Sequence, residues 1–418
     1  GTVGGMALYV ELDKELSPEL QQLKEQVHRF AAEVLRPASV ELDKLDPEAV
    51  IARDSILWDV FRQAYEQGYH TRALPPSLGG VGLGPLGNHI VAEEMGWGSA
   101  DFAIALGVTS FPFSFAAGQA ANSPRLMEEV VKPFIEDREA KYIGCWAITE
   151  PGHGSDTLIV GTEFYRDPKV WWGVTAREDG DEWVINGQKS AWVSNGTIAT
   201  HALTFLGIDR ERGMSGGGVA LIPLNLPGVT KGKPLNKLGQ RALNQGEIFF
   251  DDVRIPKDYM LIGPDAYPMV IDSVLAGANA FMGATFTGVA RAAFEEALNY
   301  ARNRIQGGKP IAEHQLVQKK LFDMYVKVES ARQLSRAAMK YNSGTFPPAT
   351  YLSIASKVYC TQVAFEVASD AIQIHGGYGL AKEFLVEKLF RDARAALIED
   401  GSNDVLSLAA ARQIVDRL

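Results

Sequence analysis

The chain has 418 residues, with 41 Lys and Arg against 51 Asp and Glu, which gives a formal net charge of −10 at pH 7. This length allows two or three domains with a sizeable core, and the acidic balance argues against nucleic acid or an anionic membrane as the main partner. The two cysteines, Cys145 and Cys360, form no disulfide framework, so we expect a reducing, cytoplasmic location. We also expect no membrane span, because no apolar run approaches the roughly 20 residues required. Residues 1–5, before Met6, are interpreted as an expression remnant.

The first third of the chain has apolar residues at helical spacing. Helices are predicted at 18–35, ended by Pro37, and at 56–69, 86–95, 102–117 and 123–136. Gly82-Leu-Gly-Pro-Leu-Gly87 matches the dinucleotide fingerprint G-x-G-x-x-G. That fingerprint requires a preceding strand, whereas Pro75-Pro76 precedes it here. We therefore interpret the motif as a surface loop and do not expect a nicotinamide cofactor on a Rossmann fold.

The pattern changes at residue 141. Short strands are predicted at 142–149, 171–175, 183–185, 191–193, 202–206, 218–222 and 246–250, bounded by turns. Strands without intervening helices indicate a β-barrel or sandwich. Helical spacing returns at 269–306, 314–342, 348–375 and 383–397, which is long enough for a four-helix bundle. The predicted fold is an α+β multidomain protein: an N-terminal helical domain (6–140), a middle β-barrel or sandwich domain (141–256) and a C-terminal four-helix bundle (257–418).

Two stretches contain residues suited to a reactive site. Thr149-Glu-Pro-Gly-His-Gly-Ser155 follows a predicted strand, and its backbone N–H groups and hydroxyl could hold a phosphate or pyrophosphate; a tight strand connection is the alternative. Near the C-terminus an apolar stretch breaks at Gly376-Gly377, resumes helical spacing and stops at Asp400-Gly401. A carboxylate there suits an enzyme base at a pocket edge, although most such Asp-Gly pairs are only turns. The histidines and cysteines show no metal-ligand spacing, so we predict no metal site.

Together, Ala147-Ile-Thr-Glu-Pro-Gly-His-Gly-Ser-Asp156 and the segments 373–394 and 397–403 resemble the two signature regions of the acyl-CoA dehydrogenase family. The resemblance runs from about Leu16 to the end of the chain. It implies FAD as cofactor and an acyl-CoA thioester as substrate, which loses an α-proton to a carboxylate and a β-hydride to flavin N5. It also implies an electron-transfer flavoprotein as acceptor and a homotetramer or dimer of dimers.

The same resemblance implies a set of site residues. Substrate would contact Ser155, Glu399 and Gly401, and the backbone N–H of Asp400 would donate to the thioester oxygen. Arg304 and the stretch from Gln373 to Gly377 would reach FAD from a neighbouring subunit. The full set of residues expected to contact FAD is Ile148, Thr149, Gly154, Ser155, Trp192, Ser194, Arg304, His314, Gln315, Gln373, Gly376, Gly377, Ser402 and Asp404.

Asp400 is the predicted base. The family commonly has Glu at this position, so the carboxylate here is shorter by roughly 1.5 Å, and small misplacements can cost much rate. The other position used by relatives falls on Ala278, which cannot act as a base. One interpretation is a pocket reshaped for a bulky, branched or cyclic acyl group. A second is a nitroalkane oxidase, since those relatives use Asp in a segment resembling Asp400-Gly-Ser-Asn403. A third is a flavin-binding subunit without catalysis in a mixed oligomer. The dehydrogenase interpretation is favoured because both signature regions resemble ordinary members.

Overall fold

The computed structural model describes residues 2–3, 6–7 and 9–418, so most of the presumed expression remnant lies outside the described residues. Two short strands, β1 (Thr2–Val3) and β2 (Met6–Ala7), pair antiparallel. A helical region, a β region and a second helical region then follow in that order. This order confirms the predicted fold class.

Within residues 9–140, all of which the structure describes, the N-terminal region forms eight α-helices and two π turns. The helix predicted at 18–35 begins with Ser17, whose Oγ accepts a hydrogen bond from Leu20 N (3.2 Å), followed by Pro18, which suits a first helical position. The prediction that Pro37 ends this helix is wrong, because a π turn at Ala31–Leu35 leads directly into a further helix. Pro37 stands in the first turn of that helix, where a missing N–H is tolerated. The helices are α1 (Pro18–Phe30), α2 (Arg36–Asp43), α3 (Pro47–Val50), α4 (Ile56–Glu66), α5 (Pro85–Gly98), α6 (Ala100–Gln119), α7 (Pro124–Leu126) and α8 (Lys132–Glu136), with the second π turn at Met127–Val131.

The middle region is one eight-stranded sheet, whose strands are β3 (Gly144–Ala147), β4 (Thr175–Asp179), β5 (Glu182–Lys189), β6 (His201–Gly207), β7 (Gly217–Pro223), β8 (Val229–Lys231), β9 (Ile248–Pro256) and β10 (Met260–Ile262). Their order in the sheet is β10-β7-β6-β4-β5-β9-β8, with β3 paired parallel to β6. Two predicted strands are wrong. Residues 191–193 form a turn, because Ser190 N bonds to Thr149 O and Trp192 N bonds to Ser190 Oγ. Residues 171–174 precede the strand, which begins only at Thr175.

The C-terminal region consists of long packed helices. They are α9 (Tyr267–Asn303), α10 (Gln315–Asn342), α11 (Thr350–His375), α12 (Leu385–Ala396) and α13 (Asn403–Arg417), with a short hairpin, β11 (Ile305–Gln306) and β12 (Lys309–Pro310), between α9 and α10. Helix α13 lies beyond the last helix expected from the sequence. Helix α9 also contacts α5 of the N-terminal region: a Cβ on Gly288 would lie 1.9 Å from Glu93 O, and one on Gly96 would lie 2.0 Å from Thr285 O. These two glycines allow the two helical regions to pack with their backbones nearly in contact.

Two helices, α6 and α9, have the length and apolar composition of a membrane span. Of their most apolar windows, 67% and 61% are buried inside the protein. Such burial is the pattern of core helices.

Candidate active site

A buried ion pair anchors the first signature loop, residues 147–156, to the sheet. Lys189 Nζ lies 2.9 Å from Glu150 Oε2, with both side chains fully buried. The same ammonium donates to the carbonyls of Ile148 (2.9 Å) and Phe205 (2.6 Å), while Glu150 accepts from two backbone N–H groups at 2.6 and 2.8 Å. Burial lowers the pKa of Lys189 to about 8, against the opposing effect of Glu150. The loop after β3 is thus anchored to the sheet by a charged and hydrogen-bonded base.

The other side of this loop presents polar groups and an indole. Thr149 Oγ1 and Ser190 Oγ are hydrogen-bonded at 2.8 Å. Ser194 Oγ accepts from Gln245 Nε2 at 3.2 Å. Gly154 is exposed, and the Trp192 side chain, expected beside a flavin ring, is 59% exposed. Hydroxyls and an aromatic face therefore lie near each other where the sequence predicted the flavin ring.

The two signature regions, 247 residues apart in sequence, are joined by a direct hydrogen bond. Ser402 N donates to Ser155 Oγ at 2.9 Å. Ser402 is also the residue before α13, and Asp404 is exposed in the first turn of that helix. The structure therefore places the candidate base segment against the first signature loop.

Asp400 lies in a tight turn that is held by hydrogen bonds at consecutive backbone groups. Asp400 and Gly401 both have left-handed φ angles, of 54° and 98°. Asn279 Nδ2 donates to Asp400 O (3.2 Å) and Lys357 Nζ donates to Gly401 O (2.8 Å). With the Ser402 N–H bond to Ser155, these contacts fix the backbone from three different elements. Among the described residues, none donates a hydrogen bond to the Asp400 carboxylate and none accepts from its N–H.

The surroundings of Asp400 and Glu399 raise the pKa of both carboxyl groups above the usual range. Burial raises the pKa of Asp400 to about 6, while the charge of Lys357 opposes that rise. Burial and the neighbouring Asp400 charge raise the pKa of Glu399 to about 7. Glu399 Oε1 accepts from Gln240 Nε2 at 2.6 Å, so its side chain is directed to the loop between β8 and β9. A base with a pKa near 6 is ionised at pH 7 yet strong enough to take a proton.

The remaining predicted cofactor residues line a separate open groove. Its volume is about 1270 Å³, and it lies between the β11–β12 hairpin, the start of α10 and the end of α11. Arg304 Cζ lies 5.8 Å from the centre of the Tyr378 ring. A Cβ added to Gly376 or Gly377 would meet no atom within 4 Å, so their backbone is open to a ligand. The predicted residues in this groove are Arg304, His314, Gln315, Gln373, Gly376 and Gly377.

Helix α11 extends from the Asp400 turn to the groove, so its length gives the distance between these two clusters of predicted site residues. Lys357 contacts the Asp400 turn, and Gln373 lines the groove. They are 16 residues apart on this one helix, which corresponds to about 24 Å at about 1.5 Å per residue. A single chain therefore brings the candidate base, Ser155 and the first signature loop together but leaves the groove residues apart from them.

Several residues of the site were not predicted from the sequence. Lys357 is the one charged residue between Thr350 and Thr361, and a lone charge in an apolar helix is a signal that could have identified it. Lys189 and Glu150 lie in polar stretches that carry no comparable signal. Gln240 lies in an irregular loop and approaches Glu399 only through tertiary structure.

Comparison with known proteins gives one consistent family. Residues 17–139, 145–253 and 270–415 match the acyl-CoA dehydrogenase N-terminal, middle and C-terminal domains. The chain is 32% identical to the mitochondrial short-chain specific acyl-CoA dehydrogenase of Rattus norvegicus, with 96% of this chain and 91% of the relative covered. It is also 32% identical to the cyclohexane-1-carbonyl-CoA dehydrogenase of Geobacter metallireducens, with 96% and 98% covered. The butyryl-CoA dehydrogenase structure from Megasphaera elsdenii superimposes with a TM-score of 0.83 at 26% identity, over 97% of this chain and 100% of that chain. The family expected from the two signature regions is thereby confirmed, and the chain belongs to the acyl-CoA dehydrogenases, oxidoreductases that act on CH–CH bonds.

Proposed function

We propose that this protein is an FAD-dependent acyl-CoA dehydrogenase that oxidises the α,β bond of a branched or cyclic acyl-CoA, with Asp400 as the base. The observation that carries the proposal is the Asp400 carboxylate itself. It has a pKa raised to about 6 by burial, no donor among the described residues, and a turn bonded to the first signature loop through Ser155. A carboxylate held without a partner at neutral pH suits proton abstraction.

The bulky acyl group is inferred from the length of the base. Asp is shorter than the family's usual Glu by about 1.5 Å, and proton transfer requires close, aligned contact. A bulkier group at the α-carbon can occupy the space that the missing methylene leaves. The similar protein of Geobacter metallireducens is named for a cyclic acyl thioester, and the match covers 98% of that protein. The short-chain specific relative of Rattus norvegicus is equally similar, at 32% identity, so the choice of a bulky substrate rests on the shorter base.

Each group in the turn has a separate task in the proposed reaction. The Asp400 carboxylate takes the α-proton of the thioester. The Asp400 N–H, which has no acceptor among the described residues, donates to the thioester oxygen as negative charge develops there. Asn279 and Lys357 hold the two carbonyls of the turn, so this N–H keeps its direction during the reaction. Bound FAD would supply the acceptor for the β-hydride.

The residues present fit FAD in two places. The flavin ring would fit beside the exposed Trp192 and the hydroxyls of Thr149 and Ser190. A pyrophosphate would fit at the open backbone of Gly376-Gly377, where the guanidinium of Arg304 can donate two parallel hydrogen bonds. Because these clusters lie about 24 Å apart along α11, we propose that the groove of one chain completes the flavin site of a second copy. The assembly is then a symmetric dimer of dimers, and an electron-transfer flavoprotein is the proposed acceptor.

An anaerobic titration tests the proposed function. The purified flavoprotein is mixed with cyclohexane-carbonyl-CoA, isobutyryl-CoA, butyryl-CoA or a nitroalkane, and bleaching of the visible flavin band is followed. We expect bleaching by the cyclic or branched thioesters. Asp400→Asn should retain FAD but lose reduction by about 10²–10⁴-fold in rate. The matched control is Asp416→Asn, because that side chain is 63% exposed at the far end of α13.

The other interpretations predict different results in the same assay. Turnover of nitroalkanes with release of hydrogen peroxide would replace the dehydrogenase with an oxidase that uses the same base. A yellow protein that no compound reduces would indicate a subunit without catalysis. Full reduction of Asp400→Asn would remove Asp400 from its proposed role.

A further inference from the structure

Lys357 is a fully buried charge beneath the candidate base. It is 0% exposed and lies in the apolar first half of α11. Its Nζ donates to Gly401 O at 2.8 Å and to Asn403 Oδ1 at 2.7 Å. Burying a lysine is costly unless its charge is compensated, so its position requires an explanation beyond packing.

The orientation of the Lys357 ammonium is fixed by a closed set of hydrogen bonds. Asn403 Nδ2 donates to Thr361 Oγ1 (2.9 Å), and Thr361 Oγ1 donates back to Lys357 O (2.7 Å). Asn403 thus accepts from the ammonium with one end of its amide and is tied to α11 by the other. The lysine is held against the Asp400–Gly401 turn rather than free to rotate away.

Within the part of the chain that the structure describes, the charges that act on Lys357 are those of two acidic residues of this turn, Asp400 and Glu399. Burial lowers the pKa of Lys357 to about 8, and the charges of Asp400 and Glu399 raise it again. The other elements packed on the turn present neutral groups: Asn279 from α9 and Ser155 from the first signature loop. Lys237, from the loop between β8 and β9, acts on Glu399. Of the residues that the structure describes, Lys357 is therefore the one that supplies the Asp400 carboxylate with a compensating charge.

We propose that Lys357 is a positioning residue for the base, fixing the Asp400–Gly401 turn through the Gly401 carbonyl and keeping the undonated Asp400 carboxylate ionised at neutral pH. This inference rests on the proposed function, because it assigns Lys357 a role in the chemistry of Asp400. It differs from a purely structural role in one measurable respect. A structural lysine would affect stability, whereas a charge that acts on the base also sets the pH at which the base loses its proton.

The test is the pH dependence of kcat/KM in the flavin-loaded enzyme. Lys357→Met removes the positive charge at similar length. Since that charge favours the ionised carboxylate, its loss raises the pKa of Asp400, and the acidic limb should move to higher pH by about one unit. Lys357→Arg keeps the charge and should keep the limb near its original position. Lys132→Met is the matched control, because it makes the same change at a side chain that is 55% exposed on α8 and should leave the limb in place.

A second variant covers the case in which Lys357→Met does not fold. Asn403→Asp places a carboxylate beside the ammonium, 2.7 Å from it in the present amide, and Asp is favourable in the first turn of α13. The added carboxylate offsets the charge of the Lys357 ammonium, so the acidic limb of the kcat/KM profile should likewise move to higher pH. If Lys357→Met or Asn403→Asp titrates as wild type while Asp400→Asn still abolishes reduction, the role of Lys357 is refuted and the proposed function stands. If Asp400→Asn reduces flavin normally, both are refuted.

Discussion

Asp400→Glu changes the reach of the candidate base without changing its charge. The added methylene extends the carboxylate by about 1.5 Å. The backbone cannot retreat easily, because Asp400 O, Gly401 O and Ser402 N are each bonded to a different element. Breaking one of these contacts would cost about 0.5–1.5 kcal/mol for a neutral bond and about 1.5–3 kcal/mol for the bond to Lys357. The side chain itself must therefore absorb the displacement.

The expected loss follows from the geometry of proton transfer. Reacting atoms need to approach within about 3–3.5 Å, and a misplacement of about 1 Å can cost about 10²-fold in rate. That factor corresponds to about 2.7 kcal/mol. We therefore expect the rate of flavin reduction by the preferred bulky thioester to fall at least about 100-fold in Asp400→Glu. A straight-chain thioester should lose much less, because it leaves room for the longer side chain.

Stopped-flow reduction under anaerobic conditions measures both substrates. Asp416→Glu is the matched control, since it adds the same methylene to a side chain that is 63% exposed. Substrate binding, followed through the shift of the flavin spectrum before reduction, should change only a few-fold. Reduction of Asp400→Glu by the bulky thioester at the wild-type rate would show that the turn does not fix the reach of the base.

Two further changes address the rest of the site. Lys189→Met leaves the Glu150 carboxylate buried without its charge partner and should cost about 3–5 kcal/mol in urea unfolding; the double variant with Glu150→Gln should cost less, and a single-variant loss below about 1 kcal/mol would contradict the role of the pair. Arg304→Ala should lose FAD, and Asp400→Asn should lose reduction of the flavin by substrate. When chains of the two variants are mixed during refolding, half of the dimers contain one chain of each, and each such dimer has one intact site out of two. The mixture should therefore regain about a quarter of wild-type activity. No recovery on mixing would mean that each chain completes its own flavin site.

The order of helical, β and helical regions could be predicted because periodicity is a local property of the sequence. The long helices α9, α10 and α11 have apolar residues at a spacing that excludes strands. The Asp400–Gly401 turn could also be located, since an apolar run stops at an acidic residue and a glycine. These features depend on neighbours within a few positions, so they required no knowledge of the tertiary structure.

The errors arise where distant contacts override local pattern. The apolar pair Trp192-Val193 suggests a strand, but hydrogen bonds among Thr149, Ser190 and Trp192 fold it into a turn. Pro37 suggests a helix end, but it stands in the first turn of a further helix that follows a π turn. Gln240 reaches Glu399 across 159 residues, a contact that spacing cannot reveal. The distance between the Asp400 turn and the groove residues could likewise be measured only from the packing of α11.

The length of helix α11 also fixes the separation and the relative orientation of the Asp400 turn and the groove. Its first half sets the direction of the Lys357 ammonium, and its last turn sets the direction of Gln373. Inserting or deleting one residue between them would rotate one end against the other by about 100° and shift it by about 1.5 Å. Both half-sites would then be misaligned by a single event, even though every functional side chain were still present. Length changes in this lineage should therefore accumulate in loops and spare the interior of this helix.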